Sequence, residues 1–237
     1  RPGHRDDRDQ GLIAMRLRIP DGVLSTLFGV AYLGLATNAL LVVACLPLLM
    51  LIVATDPAVT WPVLVVFAPL SLPAFVATCQ VFADSSDGVV RTFARAWRRS
   101  FRKAVALGVI VTGLVTVLVV DVRALFGQRV GGVMVPVLVV MAVLVVVTAI
   151  HAVVVLADAP TARLRDVLWW SMFLAVRRWY LAGVSLVVMG VQAAFLVEHP
   201  ALALGLSATP ALYVVWANAR HALRPAFVAA GQAGAAA

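Results

Sequence analysis

Cysteine is nearly absent from this chain. Its two cysteines, Cys45 and Cys79, lie inside apolar runs, which excludes a disulfide framework of the secreted kind and suits buried core thiols. Charge is equally scarce: Asp, Glu, Lys and Arg make up 13% of 237 residues, against 63% hydrophobic residues, where a soluble domain carries roughly a quarter charged. With a mean hydropathy of +1.01, that shortage excludes an ordinary soluble domain and leaves an integral membrane protein. Lysine is reduced to Lys103, every other basic residue being arginine, while alanine and valine crowd out isoleucine and asparagine. The bias suggests a GC-rich bacterial genome, and with it the cytoplasmic (inner) membrane of a bacterium.

The usual markers of chemistry are missing as well. No G-x-x-x-x-G-K-[ST], H-E-x-x-H or C-x-x-C occurs, which removes the signatures of nucleotide hydrolysis, zinc hydrolysis and dithiol exchange. The pattern assembles neither a pair of buried carboxylates nor a nucleophile with its base, so no catalytic residue, cofactor or metal ligand is assigned. His4, His151, His199 and His221 are scattered over tail, span and loops, and only His151 is expected inside the membrane. An ionisable group at that depth is a functional candidate by default, although a neutral imidazole bonded to a neighbouring helix is the plainer reading. Asn38, Gln80 and Gln192 are expected to hydrogen-bond between helices.

What the chain does have is six apolar runs, over 24–54, 57–83, 104–120, 133–157, 179–197 and 201–219. A helix crosses a bilayer with about 20 apolar residues, so the expected fold is an all-α polytopic membrane protein with six transmembrane helices over 23–219. Polar tails are expected over 1–22 and 220–237. The first run is longer than the apolar region of a signal peptide and is expected to stay as a span, with Pro47 as a kink site. Pro62, Pro69 and Pro73 free carbonyls in the second run that only protein or a cavity can satisfy, so that run is expected to face other helices. Of the 19 basic residues only Arg123 and Arg129 fall outside the segments 1–18, 91–103, 163–178 and 220–224. Under the positive-inside rule both termini are then cytoplasmic. The net charge of +8 thus reads as a topology signal and not as affinity for nucleic acid.

A repeat runs through these spans. Pro62-Val63-Leu64-Val65-Val66 recurs as Pro136-Val137-Leu138-Val139-Val140, and more loosely as Pro210-Ala211-Leu212-Tyr213-Val214, at a constant spacing of 74 residues. Ala83-Asp84 and Ala157-Asp158 close the first two copies at that offset, and Gly108 is matched by Gly183 one residue later. The register points to three parallel two-helix units.

Two cytoplasmic segments, 87–103 and 161–178, are too polar to span. In the first, Phe93, Trp97 and Phe101 recur every fourth residue on one face while Arg91, Arg95, Arg98 and Arg102 follow another. The expected element is a basic amphipathic helix lying in the inner interface, with Asp87 and Ser85 or Ser86 at its N-terminal end. Arg95 and Arg98 would lie opposite Phe93 and Trp97, with Arg99 nearer the side. The second segment carries Arg163, Arg165, Trp169, Trp170, Arg177 and Arg178. Both are open to two readings: anchoring to anionic inner-leaflet lipids, or a docking surface for a cytoplasmic partner.

The stretch Phe93-Ala94-Arg95-Ala96-Trp97-Arg98-Arg99-Ser100-Phe101-Arg102-Lys103-Ala104, after a proline-containing span and the small-residue turn at Asp87-Gly88, resembles the YesL-like family of bacterial membrane proteins. There a stretch F-x-x-x-[FW]-[RK]-x-[NS]-[FW]-[RK]-x-[AS] follows the second span. Asn38-Ala39-Leu40 and Leu46-Pro47 are similar to the family's N-x-L and L-P elements, although the usual tryptophan after the asparagine is missing. The resemblance covers about residues 30 to 125. It implies a membrane protein accessory to a carbohydrate uptake transporter of the ATP-binding-cassette type and partnered by its subunits. The alternatives from other classes are a small-solute transporter or channel in its own right and, weakest, a membrane enzyme.

Overall fold

The computed structural model describes residues 21–199 and 202–235, and every element among them is helical. Most of the N-terminal tail, with His4, lies outside the described residues. Helix α1 (Asp21–Ala44) breaks at Cys45, and α2 (Leu46–Ala54) leaves it at 71°. Pro47 sits in the first turn of α2, where its missing N–H costs nothing but its ring forbids α1 from running on. Asp56 then caps α3 (Pro57–Phe67), its side chain accepting the Ala58 amide at 2.9 Å. A 3-10 turn at Ala68–Ser71 carries the chain into α4 (Leu72–Ala83). Pro69 and Pro73 are buried, so the α4 half of this span does face protein. The α3 half does not: it exposes Val59, Trp61, Val63 and Val66.

Helix α5 (Val89–Leu125) is followed by α6 (Gly131–Asp158), α7 (Leu164–Arg177) and α8 (Trp179–Glu198). A π-helical turn at Ala203–Ser207 then opens onto α9 (Ala208–Ala235). Among the described residues four units are long and apolar enough to cross a membrane: Ala58–Ala83, α5, α6 and α8. The bent pair α1–α2 makes a fifth if it is one span. The apolar run 201–219 is divided by the π turn, and α9 continues without a break through Arg220 and His221 into the expected C-terminal tail.

The amphipathic segment expected as a separate interfacial helix over 87–103 is not a separate element. It forms the first turns of α5, a single helix of 37 residues. Nothing between Arg102 and Gly108 breaks a helix, and the buried stripe Val89, Phe93, Ser100, Ala104, Leu107 passes straight across the junction. Such a helix is about 55 Å long, far more than the roughly 30 Å hydrocarbon core, so its basic end extends the span. Asp87, Ser85 and Ser86 do not cap it. The N-cap is Gly88 at φ 89°, in the left-handed region that glycine adopts without strain. The second polar segment does form its own helix, α7.

Glycine also permits a close approach between elements in the core. A Cβ on Gly108 would lie 2.7 Å from the Pro69 Cα, so α5 rests directly on the 3-10 turn. Gly183, its counterpart in the repeat, faces open space. The repeat prolines differ too: Pro62 and Pro136 lie inside helices, while Pro210 follows the π turn.

Candidate site at the basic end of α5 and a buried polar network

The basic end of α5 takes its shape from what covers its apolar face. Phe93 is 5% exposed and belongs to a cluster with Val89, Val81, Ala77 and Leu41. Trp97 packs against the same cluster and meets Phe101 edge-on, with ring centroids 4.9 Å apart. Phe93 is therefore covered by α1 and α4, while Trp97 and Phe101 stay half-buried. On the other faces Arg91, Arg98, Arg99 and Arg102 are exposed. Arg95 is exposed too and donates from Nη1 to Asp87 Oδ2 at 2.8 Å, a surface pair of modest worth.

Beside this helix, the end of α4 and Pro160 enclose a polar cleft of about 160 Å³. Gln80, Asp84, Thr92, Arg95 and Arg99 line it. Arg98, expected to act with Arg95, is not part of it. Four residues turn a helix about 40° past a full circle and three fall about 60° short, and the cleft lies on the four-residue side. Gln80, expected to bond between helices, lines this cleft. The Ser86 N–H donates to Asp84 Oδ1 at 2.9 Å. That bond, with the Ser86 hydroxyl, holds the Asp84 carboxyl below the usual carboxylate range. Lys103 closes the far side, its Nζ donating to the carbonyls of Pro160 at 2.7 Å and Ala162 at 2.8 Å.

Deeper in the bundle the side-chain amides bond to the backbone. Asn38 is 3% exposed. Its Nδ2 donates to the Gly205 carbonyl at 2.9 Å, and its Oδ1 accepts the Thr209 N–H at 2.8 Å and the Thr209 hydroxyl. In an unbroken α-helix the Thr209 N–H would bond the Gly205 carbonyl. The carboxamide is thus inserted into the helix ladder, giving each backbone group a peptide-like partner. From α8, Gln192 Nε2 donates to the Ala203 carbonyl at 3.1 Å, and the Ser207 hydroxyl donates to Gln192 Oε1 at 2.9 Å. Two side-chain amides, one from each neighbouring helix, hold the π turn. The interhelical bonds expected of Asn38 and Gln192 are both formed.

Asn218 plays a third such part, which the sequence reading missed. Its Nδ2 donates to the Leu181 carbonyl and to the Ser185 hydroxyl, the latter at 2.9 Å. The available signal was a carboxamide in an otherwise apolar run. His151 departs from expectation: it is 2% exposed, and Nδ1 lies 2.9 Å from the Val147 carbonyl of its own helix. That bond places the proton on Nδ1 and leaves Nε2 buried without a partner. At the end of α6, Asp158 faces Arg220 at 3.6 Å, and Arg220 stacks over the Trp216 ring at 5.1 Å, pinning α9 to α6.

Among the described residues no three of His, Cys, Asp or Glu are grouped to hold a metal ion. The arrangement offers guanidinium groups, a small cleft and a set of amides bonded to the backbone. No protein-family model, curated protein or solved structure matches the chain.

Proposed function

We propose that this chain is an accessory subunit of a bacterial cytoplasmic membrane, not an enzyme, and that it docks a partner through the basic end of α5. The observation that carries this reading is the burial of Phe93 beneath α1 and α4. An arginine-rich helix with a free aromatic face lies on lipid. One whose leading aromatic is buried in its own protein, with the next two half-covered, offers mainly its charged face, and here that face stands at the end of a long helix. In this reading the chain crosses six times in three two-helix units with both termini cytoplasmic, α1–α2 being the first span and the π turn with α9 the sixth. The basic segments 91–103 and 163–178 then share the cytoplasmic side with the partner. Resemblance of the segment 87–104 to the YesL-like family points to the subunits of a carbohydrate transporter of the ATP-binding-cassette type as that partner.

A small-solute transporter is the second reading, favoured by the 71° bend and the π turn, since transporters build sites from broken helices. Against it, Asn38 and Gln192 bond the broken backbone and leave it closed. The test is a photo-crosslinking amino acid in place of Arg98, activated in native membranes. Adducts to a permease or ATPase subunit are expected, and they should weaken when Arg91, Arg99 and Arg102 are replaced by Gln. Adducts confined to lipid would overturn the docking proposal.

A further inference from the structure

Away from the basic end, a groove of about 1000 Å³ opens between α5, α6 and α7. Ile110, Leu114 and Leu118 form one wall, and Met141, Leu144 and Thr148 the other. From Ile110 to Leu118 the helix rises about 12 Å, close to one leaflet of a core about 30 Å deep. A partner's transmembrane helix would seek a wall as deep as the whole core. An acyl chain needs only one leaflet.

The foot of the groove is polar. Leu164 and Leu168 of α7 join a cluster with Leu107 and Ala152 below the walls, and Lys103 ties the loop preceding α7 to the basic end of α5. Arg165, Asp166 and Trp169 line this end. All three are exposed, and neither charge has an ion-pair partner among the described residues. Tryptophan at the end of an apolar groove marks headgroup level. A guanidinium beside a carboxylate complements a head that carries both a phosphate and an ammonium group. An anionic head would set a like charge against Asp166, and a choline head would offer it methyl groups instead of N–H donors.

We infer that this groove binds one membrane phospholipid with a phosphoethanolamine head, its acyl chain along α5 and α6, its phosphate at Arg165 and its ammonium at Asp166. The inference rests on the chain being a membrane protein and is independent of the docking proposal.

The test reconstitutes the full chain in vesicles of equal parts phosphatidylethanolamine, phosphatidylglycerol and phosphatidylcholine. The protein is re-extracted in mild detergent and its retained lipid quantified by mass spectrometry. Phosphatidylethanolamine is expected to be enriched about fivefold over each of the others, the factor that one ammonium hydrogen bond contributes against phosphatidylcholine and one surface charge against phosphatidylglycerol. Arg165→Gln should lower retention of all three, and Asp166→Asn should erase the preference for phosphatidylethanolamine over phosphatidylcholine. Leu114→Trp, which fills the groove without touching the head site, should displace lipid of any class while circular dichroism shows unchanged helix content. Retention in the input ratio, enrichment of phosphatidylglycerol, or retention unaffected by Leu114→Trp would overturn the inference.

Discussion

Asn38 does the work of a peptide group. Replacing it with Leu leaves the Gly205 carbonyl and the Thr209 N–H buried and unpaired, which costs about 2 kcal/mol. Asn38→Asp keeps an acceptor for Thr209 but turns an oxygen on the Gly205 carbonyl, so it should destabilise as well. Unfolding in detergent micelles checks both; a wild-type midpoint for Asn38→Leu would contradict the inserted-amide geometry. The sequence marks Asn38 as a polar residue in an apolar helix. It does not mark the partner, because the groups it bonds are backbone atoms 167 and 171 residues away, freed by a π turn that no side-chain pattern announces. At Gly88, a left-handed N-cap makes Gly88→Ala cost about 1 kcal/mol, measurable in the same assay.

At the scale of elements, α5 shows what periodicity conveys and what it omits. The spacing of Phe93, Trp97 and Phe101 identifies an apolar face, but a lipid tail and a protein core are equally apolar. The medium that covers that face is therefore not written in the residues of α5; it depends on α1 and α4. Continuity is the other omission. A stretch too polar to span reads as interfacial, although a helix without a breaker simply continues beyond the bilayer. The contact with Pro69 gives a paired prediction. Gly108→Ala drives a Cβ into the Pro69 backbone and should lower stability by about 1 to 3 kcal/mol. Gly183→Ala, in open space, should be neutral or stabilise by up to about 1 kcal/mol. Equal losses at both positions would show that the two glycines are equivalent, as the repeat alone would imply.

For the whole molecule, the apolar runs carried most of the helices, and the distribution of arginines gives an expected side for each loop. The break at the π turn and the single long α5 arise from tertiary contacts and chain continuity, which hydropathy does not encode. Reporter fusions near Asp87 and Arg163 should read cytoplasmic, and those near Asp56 and Gln128 external; an external signal at Asp87 would remove the docking proposal. The most direct measurement places single spin labels at positions 91, 95, 98 and 102 and determines the distance of each from the bilayer by accessibility to polar and apolar relaxants. If the basic end of α5 continues the span, distance from the membrane should grow steadily from 102 to 91, by up to about 1.5 Å per residue, reaching about 16 Å over the eleven residues. Four labels at one common headgroup depth would mean that the segment lies on the membrane as a lipid anchor, contradicting both the continuous helix and the docking role built on it.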